Sequence, residues 1–278
     1  MQAFAPAKIN LSFKIKGRRE DGFHEIETLM APISLKDTLT IERGEIPGGV
    51  RFTCDDPSLP TGEENLVVKA VRLFFRKATQ INAGVEINLV KKIPHGAGLG
   101  GGSSDAAATL LALNKLFATG FDRNALMELA AQIGSDVPFF ILGSAATCRG
   151  RGEIVEPATL PARFHLLLVK PDFGVPTPWA YSRWKDSRGL PDVPEAEQDF
   201  AGVRFFNDLE RPVFEKFVVL GYLKNWLRAQ PEVGAALLSG SGSTVFAVLR
   251  DGAEAEKLAV RVRENLGASL WTHISTTG

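Results

Sequence analysis

Cysteine and histidine are scarce in this chain. The two cysteines, Cys54 and Cys148, form no CxxC pair, and the four histidines are scattered, with none at metal-ligand spacing. This pattern excludes a disulfide framework and any legible zinc site. We therefore expect two reduced, buried thiols.

The chain also lacks excess charge and long apolar runs. Lysine plus arginine and aspartate plus glutamate both number 32. This balance argues against a broad nucleic-acid or anionic-membrane surface, although a local basic pocket remains compatible with it. No apolar run approaches the roughly 18 residues that span a bilayer, and the N-terminus has no basic start followed by an apolar stretch. We expect a cytoplasmic protein with no membrane or nucleic-acid partner. The sequence leaves its oligomeric state open.

The order of strand-like and helix-like segments predicts two domains of the α+β class. The 278 residues correspond to roughly two domains of about 150 residues each, and composition shifts after residue 152. We place the boundary at residue 160, giving domains 1–160 and 161–278. The proline-rich, acidic stretch 186–199 is typical of an exposed loop, and helices are expected over 65–78, 122–134 and 213–230.

An alternating strand opens the chain. Ile9, Leu11 and Phe13 are apolar at every second position, which places Lys8 and Asn10 on the opposite face. Lys8 is a candidate to neutralise a bound phosphate. By its position alone, however, a solvated surface lysine is the favoured interpretation.

The stretch PHGAGLGGGSSDAA, residues 94–107, contains five glycines in fourteen positions. It follows a predicted strand and leads into an Ala- and Leu-rich helix. Glycines let the backbone approach a ligand, consecutive N–H groups form an anion-binding concavity, and the helix N-terminus adds partial positive charge. These features predict a phosphate-binding loop, in which we expect Gly101 to need a positive φ.

Two common phosphate motifs do not account for this loop. A Walker loop needs lysine where Gly102 stands. A dinucleotide fingerprint matches at Gly96, Gly98 and Gly101. That motif also requires an acidic residue at the end of a second strand, whereas Asp122, at the right distance, is predicted to cap a helix. The sequence therefore disfavours a nicotinamide-dependent dehydrogenase.

A kinase without a Walker lysine needs a base from elsewhere. Asp136, in GSDVPFF, lies between a helix end and an apolar run, where a carboxylate is costly unless used or paired. It is a candidate base, and a helix cap is the equally plausible alternative. Ser103 and Ser104 are candidates to contact Mg²⁺, or they cap the helix that follows the loop. The metal ligands remain unknown at this stage.

Three segments together resemble the GHMP kinases. They are PAKINL near the start, PHGAGLGGGSSDAA, and LSGSGSTVFAVL at 238–249. GSDVPFF and VPTPWAY support the finer resemblance to those members that act on a CDP-linked methylerythritol in the non-mevalonate isoprenoid route. The resemblance implies ATP and Mg²⁺ as cofactors and the 2-hydroxyl of that small molecule as the phosphate acceptor. It also implies an N-terminal α/β nucleotide-binding domain and a C-terminal ferredoxin-like α+β domain, with the active site between them.

The resemblance also implies roles for individual residues. Lys8 and Asp136 would be the catalytic pair. Asn10, His24 and Thr177 would contact the substrate, with His24 at the cytosine edge, and Phe23 and Tyr181 would stack on the two faces of the cytosine ring. Many members carry tyrosine where this chain has Phe23, a change that keeps the stacking face and removes a hydroxyl. The residues expected around ATP are Asn65 and Leu66 near adenine, with Pro94, Gly96, Ala97, Gly98, Leu99, Gly100, Gly101, Gly102, Ser103 and Ser104 around the phosphates.

Two other functions stay open at this stage. Another small-molecule GHMP kinase would have no cytidine role for the DGFHE and VPTPWAY segments. A nucleotide-binding protein without catalysis would keep the glycine loop and need neither Lys8 nor Asp136.

Overall fold

The computed structural model describes residues 1–191, 193 and 196–278. The strands are β1 (Gln2–Arg18), β2 (His24–Gly44), β3 (Val50–Cys54), β4 (Gly84–Val90), β5 (Ala146–Gly150), β6 (Ile154–Pro157), β7 (His165–Lys170), β8 (Gln198–Phe200), β9 (Val203–Asn207), β10 (Val233–Leu238), β11 (Val245–Leu249) and β12 (Trp271–Thr276). The helices are α1 (Leu66–Lys77), α2 (Gly101–Leu116), α3 (Arg123–Ile133), α4 (Val137–Leu142), α5 (Thr177–Arg183), α6 (Glu210–Lys216), α7 (Val218–Arg228) and α8 (Ala255–Leu266). No helix among these described residues is long and apolar enough to cross a membrane.

The first sheet has eight strands and carries three of the predicted site residues, Lys8 and Asn10 on β1 and His24 on β2. Its order is β3-β4-β2-β1-β9-β8, and β5 pairs with both β2 and β6. Helices α1 to α4 pack together in an apolar core over one face, and α2 lies against β1 and β2. The other face packs on the second sheet, where Ile9 and Leu11 meet Leu166 and Leu168.

The opening strand β1 is therefore buried on both faces. The predicted alternation is confirmed, since Ile9, Leu11 and Phe13 are all buried. Lys8 and Asn10, on the opposite face, are also buried, with exposed fractions of 4% and 2%. The interpretation of Lys8 as a solvated surface lysine is wrong because a covered sheet has no solvent face at this point.

The second sheet is antiparallel and has the order β10-β11-β7-β12. Read across the sheet, these strands are the second, third, first and fourth of the four in chain order. Helices α5 to α7 lie in the connection between the first and second of them, and α8 lies in the connection between the third and fourth. This βαββαβ connectivity is the ferredoxin-like arrangement expected for the C-terminal part. Helices α6 to α8 pack on the face that turns away from the first sheet.

Strands from the second half of the chain complete the first sheet. β9 pairs in parallel with β1, with Phe13 opposite Asn207, and β8 pairs with β9. The prediction of an exposed loop over 186–199 is wrong at its end, because Gln198 is buried in β8. Positions 192, 194 and 195 of that stretch lie outside the described residues. The division at residue 160 stays a prediction.

Local signals placed most helix ends correctly. Asp122 caps α3, as predicted, and its side chain accepts a hydrogen bond of 2.8 Å from the Ala125 N–H. The helix predicted over 213–230 instead breaks at Phe217, whose backbone leaves the helical region. The Phe217 ring stacks on Phe173 at 5.5 Å and meets Trp179 edge-on at 5.6 Å. These contacts to residues far along the chain are invisible to a periodicity argument.

Candidate active site

The glycine loop connects β4 to α2. Gly96, Gly98 and Gly100 adopt φ values of 63°, 73° and 71°, the left-handed region that only glycine enters cheaply. Gly101 is already helical, so the expectation of a positive φ at Gly101 is wrong. Gly100 occupies the N-cap position and provides no side-chain cap. The first N–H groups of α2 are therefore available to an anion.

A second loop supports the glycine loop from behind. We call residues 239–244, between β10 and β11, the serine–glycine loop. The Ser239 hydroxyl donates to the Gly98 carbonyl at 3.0 Å, and the Thr244 N–H donates to the Ala97 carbonyl at 3.2 Å. The two loops are packed so closely that a Cβ on Gly98 would overlap the Ser239 carbonyl oxygen and lie 2.9 Å from that of Gly242. The second and third of the segments that resemble the GHMP kinases thus pack directly against each other.

We expect Gly98→Ala to weaken binding of a non-hydrolysable ATP analogue by roughly tenfold or more, because the loops must separate to admit the methyl group. Isothermal calorimetry measures this directly. Gly120→Ala is the matched control, since Gly120 has a φ of 70° and nothing within 4 Å of its Cβ position. Both variants carry similar backbone strain. Equal affinity in the two variants would show that loop packing does not shape the nucleotide site.

Lys8, Asn10 and Asp136 meet beside the glycine loop. The Lys8 Nζ donates to Asn10 Oδ1 at 2.7 Å and lies 3.7 Å from Asp136 Oδ2. Asn10 Nδ2 in turn donates to the Thr28 hydroxyl at 2.8 Å. The Lys8 backbone N–H donates to the Leu99 carbonyl at 2.9 Å. The lysine is thereby fixed in position relative to the phosphate loop.

The carboxylate of Asp136 is available for chemistry. Asp136 stands at the N-cap position of α4, yet within the described chain its side chain makes no capping hydrogen bond. About a third of that side chain, 35%, is exposed, and it faces the cavity. Burial and the negative charge of Asp136 raise the pKa of the Cys148 thiol to about 12. Cys148 is thus a neutral neighbour that leaves the Lys8–Asp136 pair undisturbed.

A cavity of about 1260 Å³ joins these groups. All of the residues predicted from the sequence line it except Ser104, which is buried in the first turn of α2. The Ser104 hydroxyl has no hydrogen-bond partner among the described residues. Asn65 caps α1 by accepting from the Val67 N–H at 2.9 Å, and this bond holds Asn65 and Leu66 at the cavity edge beyond the phosphate loop.

Aromatic side chains form the opposite end of the cavity. The His24 ring lies 5.2 Å from that of Tyr181 and meets Trp184 edge-on at 6.0 Å. Phe23 is half exposed, and the guanidinium of Arg151 lies 4.8 Å from its ring centre. The cavity therefore contains both rings expected to hold cytosine. The stacking arrangement itself stays a prediction.

Burial sets the protonation of this aromatic end. Burial and the positive charge of Arg18 lower the pKa of His24, so its imidazole is neutral at neutral pH. Burial and the charge of Asp136 raise the pKa of Tyr181, so its phenol keeps its proton. Thr177 completes this end with a hydroxyl 2.7 Å from that of Ser241. All of these groups can give or accept hydrogen bonds without carrying charge.

The sequence patterns do not predict the buried charged cluster next to the glycine loop. Lys91 pairs with both Asp37 and Asp105, the second at 2.9 Å. Asp37 also accepts from the Lys92 and Ile93 N–H groups, at 2.5 and 2.8 Å. Burial raises the pKa of Asp105 to about 7, against the opposing effect of Lys91. The cluster ties the two ends of the glycine loop together, and only three separated ionisable residues signal it in the sequence.

No group of three or more His, Cys, Asp and Glu residues within the described ranges could hold a metal ion. Mg²⁺ in phosphate-transfer sites takes most of its ligands from phosphate and water, with one or two from protein. The unpartnered Ser104 hydroxyl beside the phosphate loop is compatible with that arrangement.

Known proteins match the chain along its whole length. The model for the GHMP kinases N terminal domain matches residues 65–144, and that for the GHMP kinases C terminal domain matches residues 197–268. A 4-diphosphocytidyl-2-C-methyl-D-erythritol kinase of Methylacidiphilum infernorum is 42% identical over 99% of this chain and 96% of its own length. The chain belongs to the GHMP kinase family. A second relative of the same name, from Thermus thermophilus, is 41% identical over 95% of this GHMP kinase and 93% of its own length.

Solved structures agree with this assignment. A crystal structure of 4-(cytidine 5'-diphospho)-2C-methyl-D-erythritol kinase superimposes on this GHMP kinase with a TM-score of 0.81, at 38% identity and full coverage of both chains. The homoserine kinase of Cytophaga hutchinsonii, at 20% identity and a TM-score of 0.69 over 100% of this chain and 94% of its own, shares the fold. The predicted family, fold class and kinase class are confirmed by these matches.

Proposed function

We propose that this GHMP kinase transfers the γ-phosphate of ATP to the 2-hydroxyl of 4-(cytidine 5'-diphospho)-2-C-methyl-D-erythritol. One observation carries the proposal: the buried Lys8 lies 3.7 Å from Asp136 in the cavity that the glycine loop also lines. A cation, a partly exposed carboxylate and a phosphate-binding loop are the parts that phosphoryl transfer needs. The whole-chain similarity to kinases named for this substrate supports the choice of acceptor.

Proton transfer, charge stabilisation and phosphate binding are assigned to different groups of the site. Asp136 accepts the proton of the acceptor hydroxyl while the oxygen of that hydroxyl forms a bond to the γ-phosphorus. The bond from that phosphorus to the β–γ bridging oxygen breaks, and ADP leaves. Lys8 stabilises negative charge on the moving phosphoryl group, and the N–H groups of the glycine loop and of α2 hold the remaining phosphate oxygens.

Mg²⁺ would neutralise phosphate charge and is a proposed cofactor of this site. Ser103, which lines the cavity, and Ser104, whose hydroxyl is buried without a partner among the described residues, are the proposed protein oxygens beside it. Asp136 remains paired with Lys8 and is assigned here to proton transfer rather than to the metal.

The aromatic end of the cavity supplies base recognition in this proposal. Stacking against Tyr181 and Phe23 gives affinity with little base preference because every base has a π-face. Discrimination must come from hydrogen bonds at the cytosine edge, which we assign to the neutral His24. A site built to hydrogen-bond one pattern leaves its polar groups unpaired against another.

We expect His24→Ala to narrow the preference for the CDP-linked over the UDP-linked substrate by roughly tenfold, about the value of one lost hydrogen bond. Tyr181→Ala should lower kcat/KM for both substrates by the same factor. The measurement is kcat/KM for each substrate with each variant. His273→Ala is the control, since that ring stacks on Trp271 outside the cavity. An unchanged cytidine-to-uridine ratio in His24→Ala would refute the recognition role.

The function itself is tested with purified protein, ATP, Mg²⁺ and the CDP-linked methylerythritol. We expect ADP and a product heavier by one phosphate, as detected by mass spectrometry. Parallel incubations with homoserine and mevalonate address other GHMP kinase acceptors. Phosphorylation of either one in place of the CDP-linked compound would overturn the proposed acceptor. Tight ATP binding with no turnover on any acceptor would identify a nucleotide-binding protein without catalysis.

A further inference from the structure

The serine–glycine loop contacts both halves of the proposed site. On one side Ser239 donates to the Gly98 carbonyl of the glycine loop at 3.0 Å. On the other side Gly240 approaches the catalytic strand so closely that a Cβ there would lie 3.3 Å from Asn10 Oδ1 and 3.4 Å from Lys8 Nζ. A small displacement of this loop would therefore disturb the phosphate loop and the space around the lysine together.

One buried side chain holds this loop in place. Asn207, at the end of β9, is 7% exposed. Its Nδ2 donates to the Leu238 carbonyl at 2.8 Å and to the Gly240 carbonyl at 2.7 Å. Both N–H groups of the amide therefore bond to backbone carbonyls, one at the end of β10 and one within the serine–glycine loop. Its Oδ1 accepts from the Leu209 N–H at 2.9 Å.

The backbone of Asn207 belongs to the catalytic sheet. It pairs with Phe13 on β1, the strand that carries Lys8 and Asn10. The side chain thus joins the first sheet to a loop that extends from the second. From the other side, the Leu238 N–H donates to the buried carboxylate of Glu210 at 2.9 Å. The loop entrance is fixed through both its N–H and its carbonyl group.

We infer that Asn207 is a positioning residue for phosphoryl transfer, acting through the serine–glycine loop on the glycine loop and on Lys8. The inference rests on the function proposed above, whose site it deepens. Without the two donated hydrogen bonds, the Leu238 and Gly240 carbonyls lose their partner and the loop moves to find others. A displacement of about 1 Å in a reacting geometry costs on the order of 100-fold in rate.

The test exchanges an amide for an acid at two matched positions. Asn207→Asp keeps the shape and the acceptor for the Leu209 N–H but replaces the donors. Gln198→Glu is the control, because Gln198 is another buried amide, with its Nε2 donating to the Ala236 carbonyl at 2.8 Å and its Oε1 accepting from the Ala236 N–H at 3.0 Å. Gln198 makes both of these hydrogen bonds to β10, at a residue two positions before Leu238, and it makes none to the serine–glycine loop.

We expect both variants to lose similar thermal stability, since each buries a carboxyl group against a carbonyl. Asn207→Asp alone should lower kcat/KM by roughly 100-fold and weaken the binding of an ATP analogue by roughly tenfold. Proportional losses of activity and stability in the two variants would reduce Asn207 to a structural role and overturn the inference. If Asn207→Asp does not fold, Asn207→Ser takes its place with the same expectation, because its short side chain cannot reach both carbonyls.

A double-mutant cycle adds a readout that a purely structural role would not move. Ser239→Ala removes the hydrogen bond from the serine–glycine loop to the Gly98 carbonyl, through which we propose that Asn207 acts on the glycine loop. In the double variant with Asn207→Asp, the loss of affinity for the ATP analogue should be smaller than the product of the two single losses. In the double variant with Gln198→Glu, it should equal that product. Independent losses in both cycles would contradict the inference. Analogue affinity needs no acceptor, so this outcome is separate from a failure of the wild-type protein to phosphorylate the CDP-linked substrate.

Discussion

Replacing Asp136 with asparagine should lower kcat by roughly 10²- to 10⁴-fold, the usual value of a general base. The amide keeps the shape of the side chain and removes its ability to accept the proton of the acceptor hydroxyl. Binding of ATP should persist, because the phosphate loop lies on other elements. Steady-state kinetics and calorimetry with an ATP analogue measure the two effects separately.

The fold should tolerate this change, since the Asp136 side chain makes no capping hydrogen bond to α4 within the described chain. Asp122→Asn is the matched control. Asp122 caps α3 outside the cavity, and asparagine caps as well as aspartate does, so both activity and stability should be retained. A near-normal kcat in Asp136→Asn would remove Asp136 from the role of base.

The substitution Lys8→Met should lower kcat by roughly 10²- to 10³-fold while raising the KM for ATP by a much smaller factor. Charge stabilisation of the moving phosphoryl group is needed most in the transition state, where the amine contributes and the thioether cannot. Methionine keeps the aliphatic stem, which packs closely against Gly100. Initial-rate kinetics over a range of ATP concentrations provide both constants.

Lys14→Met is the control for this prediction. Lys14 lies on the same strand, is half exposed and pairs with Asp208 at 3.7 Å, and it does not line the cavity. Its replacement should change neither constant. If Lys8→Met raised only the KM, the lysine would bind ATP in the ground state and the role assigned to it would be wrong.

The arrangement of strand, glycine loop and helix could be predicted from the sequence because its determinants are local. Strand, glycines and helix follow one another within a short segment, and each glycine conformation depends mainly on its own residue. Gly98 and Gly100 adopt left-handed conformations, which glycine enters at little cost. The expected positive φ of Gly101 is not observed, because α2 begins at Gly101, two residues before the serines that the pattern places at the helix start. Helix ends are the least certain part of such predictions.

The environment of Lys8 could not be predicted in the same way. Its burial depends on Leu99, Asp136 and Gly240, which come from three distant parts of the chain. The pairing of Lys91 with Asp37 and Asp105 likewise unites three separate segments. Periodicity records which face of a strand or helix a residue occupies. It carries no information on which partner covers that face, and here the partner decides the chemistry.

The parallel pairing of β9 with β1 has a consequence for synthesis on the ribosome. Ile15 on β1 donates its N–H to a carboxylate 193 residues further along, that of Asp208. Until that residue emerges, the nascent chain carries Lys8 on a strand with one open edge. An unpaired edge is a template for pairing with other chains. Between translation of β1 and translation of β9, this edge of β1 is therefore open to pairing with other chains.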